Sequence, residues 1–205
     1  MELVEVLRRR RMVRRYDPLR PVPPADLDAV LEAAVRAPSA GFTQAVSYLV
    51  LTGDQVAGYW SATSDPAPDD RWLSGLRTAP VLILVWTDQQ AYLDRYAQPD
   101  KGWTDRDPAL WSTPYWFVDA GMGVMAALLA AVDRGLGACF FGVPPDRAAA
   151  VRRLYRVPSG QASIGVISLG YAASGPPARR RQRRDRAELV HGGEWGVAAA
   201  DPGPT

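Results

Sequence analysis

Apolar and polar positions along the chain fall into short helical stripes and compact apolar runs. Leu3, Val6 and Leu7 share one face of a helix over Glu2–Arg9, and Arg10–Arg15 form its end and exit. Pro21-Val22-Pro23-Pro24 is a rigid entry, with proline suited to a first helical turn. A second helix then runs over Asp26–Arg36, with Leu27, Val30, Leu31 and Ala34 on one stripe, and Pro38 stops it. Val46–Leu51 predicts a strand, bounded by Thr52-Gly53-Asp54. The pattern is least regular between Ala57 and Leu76, where a Pro/Asp-rich loop (Ser64–Asp70) precedes a short helix around Trp72. Pro80–Trp86 contains the unbroken run Val81–Val85, which predicts a central strand covered on both faces.

Gln89–Tyr96 reads as a helix, and Gln98–Trp111 as a polar, lid-like loop or small excursion. Thr113–Arg134 predicts the longest helix. It is apolar nearly all round, which places it in a core or an oligomer interface, and Gly135-Leu136-Gly137 ends it. Ala138–Val143 predicts a short strand, Pro144–Tyr155 a helix with a proline start, and Ser163–Gly170 a final strand. After Ser174-Gly175-Pro176-Pro177 the chain is basic, and from residue 193 it reads as a disordered Gly/Ala/Pro tail. Helices and strands mix without strict alternation, which favours the α+β class and one domain over residues 1–192.

Composition narrows the chemistry. The 205 residues are 47% hydrophobic and 22% charged, as in an ordinary globular protein, and the net charge of +2 argues neither for nor against nucleic acid. Cys139 and His191 are the only cysteine and the only histidine. A disulfide framework and a cysteine-based metal site are therefore excluded within one chain, the single histidine argues against a multi-histidine metal site or a Ser-His-Asp triad, and no metal ligand set is expected. Cys139, on an apolar strand, reads as a buried core thiol, and His191 as a surface residue. The basic N-terminus is not followed by an apolar run. Phe117–Val132 contains Asp119 and is too short and interrupted to span a bilayer. A cytoplasmic protein with no membrane partner is the expectation.

What remains is chemistry carried by a cofactor. Two arginine clusters, Arg10-Arg11-Met12-Val13-Arg14 and Arg179–Arg186, sit near the two ends of the folded part. A phosphate-bearing cofactor would give their convergence a purpose, because guanidinium is a permanently charged fork for phosphate. Taken alone, Arg8–Arg15 also reads as a solvated helix end, and the tail as a basic nucleic-acid patch. Trp103, Trp111 and Trp116 follow the polar loop and suit core packing, a pocket wall or a lid.

The order of these motifs is specific. Arg-Arg-x-x-Arg follows a first helix, and Ala37-Pro38-Ser39-Ala40-Gly41-Phe42-Thr43-Gln44 follows a second. A long apolar helix then ends in Gly-Leu-Gly, followed by a Phe141-Gly142 strand end, a Leu169-Gly170-Tyr171 final strand and a basic tail. Over residues 1 to about 192 the chain resembles the FMN-dependent nitroreductase superfamily. The resemblance implies an α+β fold with a mixed central sheet sandwiched by helices, in an intimate homodimer with two FMN molecules at the subunit interface. It implies that Arg10, Arg11, Arg14 and the backbone of Met12 reach the phosphate and the pyrimidine edge. Pro38, Ser39, Ala40 and Phe42 come from the other subunit, and Gly142, next to Phe141, places an amide near flavin N5. Arg181 and Arg183 return to the phosphate, with Arg180 and Arg184 one step out of register.

The implied activity is reduction of a nitroaromatic, quinone-like or related conjugated acceptor by NADH or NADPH, in a ping-pong route through flavin N5. A guanidinium at the flavin N1–C2=O edge, expected to be Arg14, stabilises the reduced form and raises its potential, and hydride transfer needs no protein nucleophile or metal. Other readings are a biosynthetic member of the superfamily acting on a deazaflavin or flavin-derived intermediate, and a non-catalytic dimer that binds flavin or nucleic acid. Three positions depart from the family pattern. Met12 stands for the usual Ser, Phe42 or Thr43 for Asn, and Ala45-Val46 for Pro-Trp. These put the substrate class, more than FMN binding, in question.

Overall fold

In the computed structural model, which describes residues 1–64, 71–175 and 182–199, the Val81–Val85 run lies in a strand with a neighbour on each side. The sheet comprises β1 (Val46–Thr52), β2 (Val81–Asp88), β3 (Gly137–Phe141) and β4 (Gln161–Gly170) in the order β1-β2-β4-β3. All neighbouring pairs are antiparallel. The expected mixed sheet is thus antiparallel in its four strands, and one isolated parallel bridge, Met12 to Ala138, sets the arginine segment beside β3. The helices are α1 (Leu3–Arg9), α2 (Pro24–Val35), α3 (Asp54–Thr63), α4 (Arg71–Leu76), α5 (Gln89–Tyr96), α6 (Tyr115–Asp133) and α7 (Ala148–Leu154).

Alternation along β2 divides the interior into two cores, because successive strand side chains point to opposite faces. Leu82, Leu84 and Trp86 join Tyr59 and Trp60 of α3, Leu76 of α4 and Val151 of α7. Val81, Ile83 and Val85 join Val30 and Ala34 of α2 and Val124 and Leu128 of α6. Helices therefore cover both faces, as the α+β reading requires. Cys139 is buried on β3, and burial pushes its thiol pKa up while the nearby Arg14 guanidinium pulls it partly back.

Helix α6 is long and apolar enough to cross a membrane by length and composition. In this fold it is a core helix: Ala120, Gly123, Val124, Ala127, Leu128 and Ala131 are buried on one side of it. Its other side is apolar but open, with Val118, Met122 and Met125 exposed by 37%, 39% and 39%. The end is the predicted glycine cap: Gly135 N–H donates to Val132 O and Leu136 N–H to Ala131 O, which satisfies the last carbonyls.

Gly123 is the point of closest approach between α6 and its neighbours. A Cβ there would land on the Tyr48 hydroxyl and lie 3.2 Å from the Ala34 carbonyl oxygen. The Tyr48 hydroxyl itself donates to Ala34 O at 3.2 Å, so it has no free direction in which to yield. Gly123→Ala is expected to cost about 1–3 kcal/mol of stability by overpacking. Urea unfolding reads this directly, and an unchanged midpoint would contradict the packing described.

Some expectations shift. The Pro144 helix start is displaced: α7 begins at Ala148, because Pro144 and Pro145 form a turn closed by Arg147 N–H to Pro144 O at 2.9 Å. Of the α1 stripe only Val6 is buried, while Leu3 and Leu7 remain exposed. The body of the chain ends at Ala173, and the remaining residues form a second small unit. There a 3₁₀ turn, Arg186–Glu188, is capped by Asp185, and His191 bridges Ala198 within the stretch expected to be unstructured. The Pro/Asp-rich stretch 65–70, Arg179–Arg181 and the terminus 200–205 lie outside the described residues.

Candidate functional site

The arginine segment is held on several sides. Helix α1 closes with Arg10 N–H donating to Val6 O, and the chain then extends along the edge of β3, with Val13 N–H donating to Ala138 O at 2.9 Å. Met12 is half-buried between the two cores, so its side chain is structural and its backbone is what it can offer a ligand. Tyr16 pins the far end. It is 1% exposed, and its hydroxyl lies 2.6 Å from Val13 O and 2.7 Å from Ser168 Oγ. Burial holds this phenol well above its usual pKa, which keeps it a donor. Asp17 N–H to Tyr171 O and Ala173 N–H to Arg15 O tie the exit to the chain after β4.

With the backbone fixed, the guanidiniums face outward. Arg11 and Arg14 are exposed and Arg10 half-exposed, and none of them pairs with a carboxylate among the described residues. Arg14 reaches Cys139 on β3. Two residues on, Phe141 ends the strand and exposed Gly142 follows. Phe141 stacks on Trp60 (5.8 Å, 12°) and meets the edge of Trp72 at 5.9 Å. A cavity of about 260 Å³ opens there, walled by Tyr59, Trp60, Thr63, Trp72 and Phe141 with Gly142 at its rim. Trp60 Nε1 is buried without a hydrogen-bond partner. Guanidiniums with no carboxylate partner among the described residues, an exposed glycine and an aromatic slot with an orphan donor fit a planar, anionic, acceptor-rich cofactor such as FMN.

The Pro38 segment lies elsewhere. It leaves α2 and makes a 3₁₀ turn over Ala40–Phe42. Its cavity, also about 260 Å³, is walled by Ala34, Pro38, Ser39, Gln44, Tyr48 and Asp119. Burial pushes the Tyr48 phenol up to about 12. The two cavities share no residue and open on opposite faces of the sheet. Met12 and Arg14 are thus placed beside Ala138 and Cys139 of β3, Phe141 and Gly142 lie at the far end of that strand, and Arg10 and Arg11 belong to the same segment as Met12. Pro38, Ser39, Ala40 and Phe42 form a separate group.

In the second unit Arg183 is exposed, Arg184 pairs with Glu188 at 2.8 Å, and Arg181 is outside the described residues. The tryptophans of the excursion form a packed cluster. Trp111 sits 4.4 Å from Tyr96, 5.4 Å from Trp103 and 5.9 Å from Trp116 between ring centroids.

One functional candidate was not read from the sequence as such. Asp119, 2% exposed, accepts from Ala40 N–H and from Tyr92 Oη, both at 2.8 Å. Burial first and Asp119 second hold the Tyr92 phenol well above its ordinary pKa. The signal was present: a lone carboxylate in an apolar helix must find buried donors.

Comparison with known proteins agrees with this architecture. The model of the nitroreductase family matches residues 7–171. A Methanothermobacter thermautotrophicus protein bearing the provisional name NADH dehydrogenase/NAD(P)H nitroreductase is 29% identical over 192 residues, covering 92% of this chain and 87% of that protein. A nitroreductase-type protein of Desulfovibrio desulfuricans, solved in complex with FMN, superposes with a TM-score of 0.70 at 26% identity, covering 93% and 95% of the two chains. The nitroreductase CinD of Lactococcus lactis, solved with nicotinic acid, shares the fold at a TM-score of 0.78 and 20% identity, covering 94% and 100%. With most of its length matched by the family model, the chain belongs to the nitroreductase family.

Proposed function

We propose that this chain is an FMN-dependent oxidoreductase that passes electrons from NADH or NADPH to a nitroaromatic, quinone-like or related conjugated acceptor, acting as a homodimer. The observation that carries the reading is the Arg10–Arg14 segment, which has no carboxylate partner among the described residues and is fixed at Ala138 of β3, the strand after which Gly142 is exposed. The FMN held by the Desulfovibrio relative and the NAD(P)H in the name of the Methanothermobacter relative support it.

When bound, FMN supplies the two-electron hydride chemistry, so the chain needs no nucleophile or metal. The residues hold and tune. Arg10 and Arg11 would bind the phosphate. Arg14 would hold the pyrimidine edge and stabilise negative charge there. Gly142 would offer its N–H to the reacting edge, and Met12 its backbone. Pro38, Ser39, Ala40 and Phe42 approach from the second copy and exclude water. The open apolar side of α6 supplies the seam between the copies, since an exposed apolar stripe of that kind marks an interaction surface.

The visible spectrum of the purified protein tests this, taken anaerobically with and without NADH or NADPH. Bound-flavin bands that bleach on adding either nucleotide are expected. Bands that stay oxidised with both would move the function to another electron donor, and failure to take up FMN on reconstitution would refute the reading.

A further inference from the structure

The turn after α2 is held in an unfavourable backbone conformation. Gly41, Phe42 and Gln44 have φ of 62°, 55° and 53°. Left-handed geometry is ordinary for glycine and a genuine outlier for a bulky residue such as phenylalanine. Such strain persists only where the surroundings over-determine it, and it gathers at functional sites. Here the surroundings do so. Asp119 fixes Ala40 N–H, Arg95 Nε donates to Gly41 O at 2.8 Å, and the Thr43 hydroxyl donates to Ala40 O at 2.6 Å. Gln44 N–H donates to Ser39 Oγ at 2.9 Å. The Tyr96 ring presses on Gly41 so closely that a Cβ there would sit 2.8 Å from its edge.

Behind Tyr96 stands the aromatic cluster of Trp103 and Trp111, and behind Asp119 the buried Tyr92. The excursion after α5 is therefore a buttress for this turn. What the clamp displays is Phe42, 76% exposed and part of neither core. A ring carried open on a fixed backbone, with no hydrogen-bonding group, offers a flat apolar face that stacks on planar π systems and recognises nothing polar.

We propose that Phe42 is the specificity-determining residue of the acceptor site in a second copy of the chain, forming the wall on which a planar conjugated acceptor stacks, and that Asp119 is the positioning residue that locks Phe42 in place. This inference rests on the flavin reading above. Phe42→Ala and Phe42→Asn, at an exposed position, leave the fold intact. The measurement is NAD(P)H-dependent reduction at saturating FMN, comparing menadione, a flat quinone, with ferricyanide, which needs no stacking.

The ratio of kcat/KM for menadione to that for ferricyanide is expected to fall at least tenfold in both variants, with the loss carried by KM for menadione. Asp119→Ala should move the same ratio in the same direction. Asp119→Asn should restore it, because its amide oxygen can accept both bonds. A merely structural role for Asp119 would lower both activities together and leave the ratio alone, which would remove Asp119 from the proposal. A flavin-loaded wild type whose ratio is unmoved by both Phe42 substitutions overturns the inference by itself. A wild type that takes up no FMN overturns the flavin reading and this inference together.

Discussion

Replacing Arg14 with alanine is expected to weaken FMN binding by roughly ten- to a hundredfold and to lower the potential of the bound flavin. Hydrogen bonds to a charged group contribute about 1.5–3 kcal/mol, and each 1.4 kcal/mol is about a factor of ten in affinity. Arg14 is exposed, makes no ion pair with a described carboxylate, and stands beside Cys139 on the strand that ends at Phe141. The substitution removes no buried apolar surface, and the backbone stays fixed by Tyr16 and Ala138. Its effect should therefore fall on the ligand and spare the fold. Lysine at this position should recover part of the affinity, since it keeps the charge and loses the planar fork. Equilibrium titration with FMN and a reductive titration against a reference dye measure the two quantities. An unchanged dissociation constant and an unchanged potential would remove Arg14 from the site.

The paired substitution Met122→Glu and Met125→Glu should separate the proposed homodimer and strip it of the flavin proposed to sit at its interface. Both methionines lie on the open side of α6, in line with Val118 and the half-buried Leu129 at helical spacing. In a monomer they would be solvated, so the charges add little to the cost of folding. In a symmetric dimer each lesion occurs twice, and an unpaired buried carboxylate costs several kcal/mol. The dissociation constant should rise on the order of a thousandfold or more. If flavin sits between the arginine segment of one copy and the Pro38 group of the other, as proposed, it should leave with the partner. Sedimentation velocity read at a flavin wavelength follows both events. A monomer that remains flavin-loaded would show that one chain builds the whole site.

Much of this fold was legible in the chain itself. The run Val81–Val85 announced a strand covered on both faces, and Gly135-Leu136-Gly137 announced the end of the long helix. Local pattern suffices where one element's own periodicity decides its environment. It fails where partners are distant. The order β1-β2-β4-β3 depends on pairings between strands far apart in sequence, which no single stripe encodes. Helix α3 was obscured by the Pro/Asp-rich stretch that follows it, although Val56, Tyr59, Trp60 and Thr63 have helical spacing. At the site, the arginine segment and Gly142 could be read from residue type and order. The clamp on Phe42 could not, because Asp119 is separated from Tyr92 by 27 positions and from Ala40 by 79.

The bridge between Met12 and Ala138 has a second consequence. Strand β3 lies at one edge of the sheet, and an uncovered edge is a row of unsatisfied backbone groups onto which another chain can add a strand. The segment expected to hold the cofactor covers that edge at Ala138, and it brings Arg10, Arg11 and Arg14 with it as neighbouring like charges. Charged side chains along an edge deter strand addition. The proposed cofactor capture and protection against aggregation would thus fall on the same few residues. A chain whose arginines were replaced wholesale would have both an impaired ligand site and a less guarded edge, and its solubility would decline together with its cofactor content.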